Sequence, residues 1–325
     1  MLRSEMKEQP APPGATEATS SPRRKWFRRI LWAIVAGFAL GILLVGLFVL
    51  NGTVLDRGGT PEVAVTEFPA ATIATNGQHV RLLAYNIAKA FVHQGRLSFL
   101  EEKEVTDRLD KVAELIREQR ADIVFLSEAI RDCGPCPVNQ IEYLAKKAEM
   151  HSWAYGENYN VGLPFYRISG GNGILSRWPL DGVANMDLAG RKPFYVTKNN
   201  RRVLICSVEI GDSGVMMAAL HNDSFNLGNN AKQAREIVES LSIQPAIAAG
   251  DFNAWPGTES IKVYQDSGQF SGEWEGPHTF PAHDPDRTID FVLAPADWIL
   301  IEHQVIPNEA SDHCAVLSVF EVKGM

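Results

Sequence analysis

The spacing of hydrophobic and polar positions changes along the chain, and each spacing predicts a different kind of element. Residues 30–50, ILWAIVAGFALGILLVGLFVL, form an apolar run without a charged residue. A helix of this length, rising about 1.5 Å per residue, is just long enough to cross a hydrocarbon core of roughly 30 Å. The run therefore predicts a single transmembrane helix near the start of the chain.

Beyond residue 78 the pattern alternates between helical and strand-like periods. Apolar residues recur at helical spacing in stretches that predict helices at 101–120, 138–150 and 229–243. Short apolar runs predict strands at 79–87, 121–130, 173–180, 202–210, 215–222, 245–253, 288–295 and 314–322. Helices and strands alternate at first and strands dominate later, which indicates a layered α/β domain whose sheets are covered by helices.

The segments that flank the apolar run have a different composition. Residues 9–22 are rich in Pro, Ala, Ser and Thr, which is typical of a disordered leader. Residues 51–78 contain RGGTPE and ATNGQ and resemble a tether. The predicted organisation is a disordered basic leader (1–29), a transmembrane anchor (30–50), a linker (51–78) and a folded domain (79–325).

Charge is distributed unevenly along the chain. Residues 1–30 carry seven Lys or Arg against three Glu, a net charge of +4, and because the whole chain carries −8, residues 31–325 carry −12. A basic cluster before an apolar run predicts that the leader is cytoplasmic and that the folded domain is periplasmic or extracellular. The acidic domain argues against tight, sequence-independent binding of nucleic acid, which depends on Lys and Arg.

Two other interpretations of the apolar run are weaker. A secretory signal has a shorter apolar stretch and a small-residue cleavage site, and no such site follows Leu50. A buried core helix is disfavoured because no charge interrupts the run. The sequence therefore favours an uncleaved anchor.

Polar side chains stand where the predicted strands begin or end. All of them are Asn, Asp, Glu or His, and the set is Asn86, Glu128, His221, Asp251, Asp290, Asp312 and His313. Charged groups at the mouth of a sheet can converge, and the strands behind them give rigidity. Asn253 lies two residues after Asp251, so along an extended strand both side chains would point the same way. These positions predict one shared site.

Seven segments resemble a known family in sequence and in order: LLAYNI, ADIVFLSE, GILSRWP, AALHND, GDFNAWP, RTID and SDHCAV. They resemble the endonuclease/exonuclease/phosphatase superfamily, which has the DNase I-like fold and includes apurinic endonucleases, sphingomyelinases and inositol polyphosphate 5-phosphatases. The resemblance covers residues 79–322 and is most specific in GDFN and SDH. It implies a four-layered α/β sandwich, preceded here by the transmembrane helix, and makes residues 79–325 the catalytic domain.

The resemblance implies a divalent metal site. Glu128 matches the glutamate that binds the metal in the family, Asn86 would lie beside that metal, and Asp312 would help to position it. Mg²⁺ is the expected ion, with Mn²⁺ as the alternative, because a hard cation prefers carboxylate and amide oxygens, water and phosphate. The metal would act as a Lewis acid and as a template for the substrate.

The resemblance also implies catalytic roles for five residues. Asp251 would orient or deprotonate the attacking water, and Asn253 would donate its amide to a phosphate oxygen. His313 would contact the phosphate, with Asp290 accepting its other ring proton. His221 resembles the histidine that DNase I-type members use near the leaving group.

These features predict a membrane-anchored phosphoesterase that cleaves a phosphodiester, in nucleic acid or in a phospholipid or other small phosphoester, by in-line attack of water. One alternative is a phosphomonoesterase of the inositol-phosphatase type. Another is a catalytically inactive, tethered binding module on the same fold. A dinuclear metallophosphatase is disfavoured because its D-x-H and G-N-H segments are absent. No obligate protein partner is predicted.

Several smaller features complete the expectations. Cys133 and Cys136 form CGPC, for which an oxidising outer compartment predicts a local disulfide. Asn51 and Asn222 begin formal glycosylation sequons. The segments 91–99 and 156–172 occupy places where members of the family hold substrate, so the resemblance implies two substrate loops; for 156–172 the alternative is an ordinary Gly-rich loop.

Overall fold

The computed structural model describes residues 22–75, 77–92, 98–211 and 213–323. The chain divides into two compact units, residues 1–46 and 47–325. Of the predicted leader, residues 1–21 lie outside the described part of the chain, and residues 22–29 are helical. Of the predicted substrate loop at 91–99, residues 93–97 also lie outside it.

Helix α1 (Pro22–Thr53) contains the apolar run and extends it at both ends. The stretch Arg23–Thr53 is long and apolar enough to cross a membrane. A secretory signal can share this length and composition. The predicted helix is therefore confirmed, together with its capacity to span a bilayer.

The second unit contains the other helices and the strands of the described residues. The helices are α2 (Glu102–Glu118), α3 (Gln140–Lys147), α4 (Leu227–Ser240) and α5 (Glu259–Asp266), with a 3₁₀ turn at Ala88–Phe91. The strands are β1 (Glu62–Val65), β2 (His79–Asn86), β3 (Ile123–Cys133), β4 (Ser152–Leu163), β5 (Tyr166–Ser176), β6 (Asp181–Asp187), β7 (Arg202–Ile210), β8 (Ser213–His221), β9 (Ala246–Asp251), β10 (Phe270–Gly272), β11 (Asp290–Pro295), β12 (Ile299–Ile306) and β13 (Ala315–Glu321).

These strands form two mixed sheets. The order is β1-β4-β5-β3-β2-β13-β12 in the seven-stranded sheet and β10-β11-β9-β8-β7-β6 in the six-stranded sheet. Each sheet contains one parallel pair, β2–β3 or β8–β9, and its other neighbours are antiparallel. The two parallel pairs matter for the site, because the carboxyl ends of parallel strands lie at the same edge of a sheet.

Successive side chains of a strand face opposite layers. In β2, Leu82 and Ala84 pack in the core between the two sheets, together with Met217 of the other sheet. Leu83 and Tyr85 pack on the outer face, against α2 and α3. Helices α4 and α5 cover the outer face of the six-stranded sheet in the same way. This arrangement is the predicted four-layered α/β sandwich.

The predicted linker contributes to the folded unit. Strand β1 pairs with the edge of β4, and Ala74 is buried in the core between the sheets. Asn51 is fully buried. A four-residue strand has too weak a local pattern to be recognised, and it forms because the edge of β4 offers unpaired backbone groups. The folded unit therefore begins upstream of the predicted boundary at residue 79.

The segment 156–172, predicted as a substrate loop, consists mostly of β4 and β5, which form an antiparallel hairpin around Pro164 and Phe165. Its Asn, Gly and Tyr residues give no clear alternation, so strand pairing rather than local pattern decides its structure. The asparagines of both sequons are buried, since Asn51 and Asn222 are both 0% exposed. Neither asparagine is accessible for glycosylation.

The expected disulfide is absent from the structure. Cys133 and Cys136 are free, buried thiols, and so are the two cysteines of the apolar strands, Cys206 and Cys314. Burial raises the pKa of Cys136 to about 11, with a further contribution from Cys133. Both thiols of the CGPC segment are therefore in the protonated, poorly nucleophilic form at neutral pH.

Two carboxyl groups interact where β4 meets the segment that follows α1. Glu157 is 1% exposed, and the Arg202 guanidinium lies 3.3 Å from the Asp56 carboxylate. Burial, followed by the Asp56 carboxyl, raises the pKa of Glu157 from 4.5 to about 9. Glu157 therefore carries a proton at neutral pH, while Asp56 pairs with the arginine.

We expect Glu157→Gln to remove a pH dependence of stability. A group whose pKa is higher in the folded state stabilises that state fully below its unfolded pKa of 4.5, and this stabilisation is lost as the pH rises through about 9. The melting temperature of the wild type should therefore fall over this range, and that of the amide variant should fall less. Scanning fluorimetry in detergent measures both, with exposed Glu239→Gln as the control. Identical profiles for all three proteins would contradict the expectation.

Candidate active site

Strand pairing brings the predicted site residues to one edge of both sheets. In the seven-stranded sheet, β2 and β3 place Asn86 opposite Ser127, the residue before Glu128. In the six-stranded sheet, β8 and β9 place His221 opposite Asp251. Each parallel pair therefore contributes the residues at its carboxyl ends.

Antiparallel neighbours bring in residues from the C-terminal part of the chain. Strand β11 begins at Asp290, which lies opposite Asp251. The hydroxyl of Ser311, which shortly precedes β13, donates to the backbone carbonyl of Asn86 at 2.6 Å. The segment that includes His313 is thereby held against the end of β2.

One hydrogen bond joins the two sheets beside the site. The buried hydroxyl of Ser127 in β3 donates to the backbone carbonyl of Leu220 in β8 at 2.9 Å. Ser127 directly precedes Glu128, and Leu220 directly precedes His221. The bond therefore helps to fix the spacing between functional residues that belong to different sheets.

Glu128 lies at a β-bulge. The pairing of β3 with β5 shifts register between Leu126 and Ala129, and Glu128 has a φ of +56°. A bulge redirects a side chain, and strained backbone of this kind is concentrated at functional sites. The Glu128 carboxylate forms an ion pair with the Lys89 ammonium. Burial opposes the charged form of Glu128, but the Lys89 ammonium outweighs it and lowers the pKa.

Lys89 lies in the turn Ala88–Phe91, whose four residues all have positive φ values between 46° and 61°. The side chain of Gln140 supports this turn, because its amide donates to the Lys89 carbonyl at 2.8 Å while its oxygen accepts from the Ile130 N–H at 2.9 Å. Nothing in the strand-end pattern pointed to Lys89. Its only sequence signal is its position three residues after Asn86.

The Asp251 carboxylate contacts the side chains of three other predicted site residues and is 1% exposed. Its Oδ2 accepts from the Asn86 amide at 3.0 Å, and it lies 3.4 Å from His221 Nε2 and 3.8 Å from His313 Nε2. Burial, followed by the Asp290 carboxylate, raises the pKa of Asp251 to about 7. A carboxylate with this pKa is suited to accept a proton near neutral pH.

His313 and Asp290 form a buried pair. His313 Nδ1 lies 3.0 Å from Asp290 Oδ2, which also accepts from the Thr279 hydroxyl at 2.7 Å. Burial alone would lower the pKa of His313, but the Asp290 carboxylate outweighs it, and the pKa rises to about 10. The predicted contact between the two residues is therefore present, and it favours a charged imidazolium that can bind a phosphate oxygen.

His221 has the opposite electrostatic environment. The buried Arg201 guanidinium donates to His221 Nδ1 at 2.9 Å, which leaves the ring proton on Nε2. Burial, followed by the Arg201 charge, lowers the pKa of His221 well below 6.5. His221 Nε2 lies 3.8 Å from the Glu128 carboxylate. His221 is therefore a neutral hydrogen-bond donor, and Arg201 fixes its tautomer.

Asn253 does not lie along the strand with Asp251. Strand β9 ends at Asp251, and Asn253 has a φ of +47° in the turn that follows. Its backbone N–H donates to Asp251 Oδ1 at 2.9 Å, and its side-chain amide donates to the Asn222 carbonyl at 3.2 Å. The two residues are therefore joined by a turn, and the expected strand alternation between them is wrong.

Asp312 is the predicted site residue whose contacts are weakest. Its side chain is exposed, and the Ser311 hydroxyl lies 3.4 Å from its Oδ1. Among the described residues, no ion pair or hydrogen bond joins the Asp312 side chain to Glu128 or to Asn86. Chain continuity places it beside His313, so its proposed role in positioning a metal stays a prediction.

A second set of potential metal ligands lies in the same network. One donor atom from each of Asp251, Asp290 and His313 lies within 4.8 Å of the others. The sequence assigned these residues to catalysis and assigned Asn86 and Glu128 to the metal. The structure therefore offers two neighbouring groups of ligand atoms.

A cavity of about 560 Å³ adjoins this network. Lys89, Glu128, Arg201 and His221 line it on the side of the site. The hairpin predicted as a substrate loop does contribute to its walls, through Asn158, Tyr159, Val161, Ile168 and Gly171. Residues 197–200 and Phe225 form another part of the lining.

Comparison with solved structures identifies proteins whose fold is similar to that of this chain. An endonuclease/exonuclease/phosphatase from Beutenbergia cavernae is 21% identical, with a TM-score of 0.57 over 76% of this chain and 72% of that one. The mannosyl-6-phosphatase Bt3783 of Bacteroides thetaiotaomicron is 16% identical, with a TM-score of 0.54 over 74% and 98%. The catalytic domain of human Nocturnin is 15% identical, with a TM-score of 0.54 over 80% and 96%. No curated protein sequence matches the chain.

A sequence model of one family matches residues 83–313, which is more than half of the chain. The matched range contains Asn86 and His313 at its two ends, and therefore the whole network around Asp251. The sandwich of two mixed sheets agrees with the fold of the solved structures. The chain belongs to the endonuclease/exonuclease/phosphatase family and has its DNase I-like fold.

Proposed function

We propose that the protein is a divalent-metal-dependent phosphoesterase that hydrolyses a phosphodiester by attack of an activated water molecule. One observation carries the proposal. Asn86, Glu128, His221, Asp251 and His313 come from four strands and the segment before a fifth, and short polar contacts join them in one network. Members of this family are generally hydrolases of phosphoester bonds, which fits such a network.

Glu128 and Asn86 would hold the divalent cation, and Asp312 remains the residue proposed to position it. Carboxylate and amide oxygens are the donors that Mg²⁺ and Mn²⁺ prefer. The ion pair with Lys89 supports the fit, because Glu128 already attracts a positive group at this position. When bound, the cation would supply Lewis-acid polarisation of the phosphate oxygens.

The set of Asp251, Asp290 and His313 fits a cation less well. His313 is bonded to Asp290 through Nδ1, and the Asp290 carboxylate favours its protonated form. A protonated imidazole has no lone pair for a metal. We therefore assign this set to phosphate binding and proton transfer.

The chain's own residues would then act as follows. Asp251 orients the water and accepts its proton as the water oxygen bonds to phosphorus and the bond to the leaving oxygen breaks. His313, held in its charged form by Asp290, and Asn253 bind the non-bridging oxygens. His221 donates its Nε2–H to the leaving oxygen, which finally takes a proton from solvent. The neutral state of His221 suits hydrogen bonding rather than donation of a full proton.

We also propose that α1 is an uncleaved anchor, with residues 1–29 in the cytoplasm and the catalytic unit outside it. The apolar helix and the basic residues that precede its core support this topology. Protease added to intact cells or spheroplasts should digest the catalytic unit. Its complete protection until the membrane is opened would refute the topology.

The function is tested with the full-length protein in detergent and a panel of phosphoesters. We expect hydrolysis of bis-p-nitrophenyl phosphate that EDTA abolishes and that Mg²⁺ or Mn²⁺ restores. DNA, phospholipid and p-nitrophenyl phosphate in parallel reactions separate nucleic acid, lipid and monoester substrates. Hydrolysis of the monoester alone would favour the inositol-phosphatase alternative. No hydrolysis of any substrate with any divalent ion would favour an inactive binding module.

A further inference from the structure

The end of α1 is attached to one wall of the catalytic cavity. Asn51 directly follows the apolar run, and its side-chain amide donates to the Asn160 side chain in β4 at 3.0 Å. The Asn160 amide donates back to the Asn51 carbonyl at 3.2 Å. Tyr159 and Val161, the two neighbours of Asn160, line the cavity. This reciprocal pair of hydrogen bonds therefore fixes the outer end of the apolar run beside the cavity.

The same end of α1 also contacts a second wall. The Phe194 ring lies against Gly52 so closely that a Cβ atom at Gly52 would be 1.9 Å from the ring. The Phe194 ring centroid is 5.2 Å from that of Phe48, which belongs to the apolar run. Residues 197–201 line the cavity. Since a residue spans at most about 3.6 Å of chain, the lining begins within about 11 Å of Phe194.

The surface around these attachments has the composition of a membrane interface. Four aromatic side chains near the cavity are largely exposed: Phe165 (74%), Tyr166 (55%), Tyr195 (57%) and Phe225 (66%). Lys192 and Lys198 are exposed in the same loop as Tyr195, and the Lys198 ammonium lies 4.3 Å from the centre of the Phe225 ring. Exposed aromatic rings and Lys side chains are enriched at the level of lipid headgroups.

The exposed aromatic residues lie close to the cavity along the chain. Phe165 and Tyr166 form the tip of the β4–β5 hairpin, a few residues beyond the pair Val161 and Ile168, which lines the cavity. Tyr195 is packed edge-on against Phe194 with 5.5 Å between ring centroids. We define the membrane-contact rim as Phe165, Tyr166, Lys192, Tyr195, Lys198 and Phe225.

We infer that this rim rests on the headgroup layer of the bilayer that holds α1, and that the cavity receives a phosphoester carried by a lipid headgroup of that bilayer. The inference rests on the proposed function and adds its substrate. Both cavity walls are tied to the end of the apolar run, so the cavity lies within a short distance of the lipid surface. Lys89, Lys198 and Arg201 give it positive charge for a phosphate group, while the acidic chain disfavours nucleic acid.

Contact with lipid is tested first, without reference to activity. Nitroxide labels are attached at Phe165→Cys and Tyr195→Cys, and at Ile243→Cys as the control, because Ile243 is 90% exposed in the turn that follows α4. The native cysteines are buried, which limits background labelling. In full-length protein reconstituted in phosphatidylglycerol–phosphatidylcholine vesicles, the two rim labels should collide more with oxygen and less with a water-soluble nickel complex than the control label. Equal accessibility at all three positions would overturn the rim.

The substrate is tested in the same vesicles. The reconstituted protein should hydrolyse phosphatidylglycerol of its own vesicle at least about a hundredfold faster than the same lipid in added protein-free vesicles, because the anchor raises the local concentration. The double variant Phe165→Ser, Tyr195→Ser should lower this rate about tenfold through lost apolar contact with lipid, and Ile243→Ser should not. Bis-p-nitrophenyl phosphate should be hydrolysed at the same rate by all three proteins.

The two proposals fail in different ways. If bis-p-nitrophenyl phosphate is hydrolysed but phosphatidylglycerol of the same vesicle is not, or if DNA is preferred, the lipid inference is wrong and the phosphoesterase remains. If bis-p-nitrophenyl phosphate is not hydrolysed under any metal condition, the proposed function itself is wrong. If the double variant loses activity on both substrates, the rim acts through folding rather than through lipid, which also overturns the inference.

Discussion

Replacing Glu128 by glutamine should lower the rate of phosphoester hydrolysis about 10²- to 10³-fold. The amide has nearly the same size, so it fits the bulge in β3, but it lacks the charge that attracts Lys89 and, in the proposal, a divalent cation. The loss should appear in kcat/KM with bis-p-nitrophenyl phosphate as substrate. It should not be restored by the Mg²⁺ concentration that saturates the wild type.

A direct measurement of metal binding separates this explanation from a folding defect. Isothermal titration with Mn²⁺ should show weaker binding to Glu128→Gln than to the wild type, at an unchanged melting temperature. Glu209→Gln is the matched control, because Glu209 is exposed on β7. The assignment of Glu128 would be refuted by a variant that binds Mn²⁺ and hydrolyses substrate as the wild type does.

Replacing Asp251 by asparagine should have an equally large effect, a loss of about 10²- to 10⁴-fold in kcat. Asp251 is buried between Asn86, His221 and His313, and it is the carboxylate best placed to orient a water and to accept its proton. An amide cannot accept that proton. Both oxygens of the Asp251 carboxylate accept hydrogen bonds, one from the Asn86 amide and one from the Asn253 N–H. Asparagine has only one side-chain oxygen, so its side chain can accept at only one of these two positions.

The expected signature of Asp251→Asn is a large loss in kcat with little change in KM or in metal affinity. Rates with bis-p-nitrophenyl phosphate and titration with Mn²⁺ give the three quantities. Asp266→Asn, at the exposed end of α5, controls for the change of acid to amide. If Asp251→Asn retained kcat but lost Mn²⁺ binding, Asp251 would belong to the metal site rather than to water activation. That result would favour the neighbouring set of Asp251, Asp290 and His313 as metal ligands.

The strand ends show which site residues can be predicted from the sequence. Asn86, His221 and Asp251 could be predicted as site residues because each follows an apolar run that ends abruptly. The family resemblance then supplied their roles. The structure places Asp251 within hydrogen-bonding distance of Asn86 and within ion-pair distance of His221, as a shared site requires.

Lys89 and Arg201 escaped prediction for a physical reason. Neither stands at the end of an apolar run, and a single Lys or Arg in a polar segment has the same local signal as any surface cation. Their importance lies in what they contact, since Lys89 pairs with Glu128 and Arg201 donates to His221. Arg201 directly precedes β7, and its contact with His221 in β8 depends on the packing of the two strands.

The sequence alone determined the apolar helix, most of the strands and helices of the α/β pattern, and the residue types available at the strand ends. These features are local, because burial repeats with the period of a helix or a strand and leaves its mark on neighbouring positions. Only the tertiary structure decided the bulge that turns Glu128, the opposite charge states of His221 and His313, and the incorporation of residues 51–78 into the folded unit. These depend on strand register, sheet stacking and burial of charge between distant segments, and no local pattern encodes such contacts.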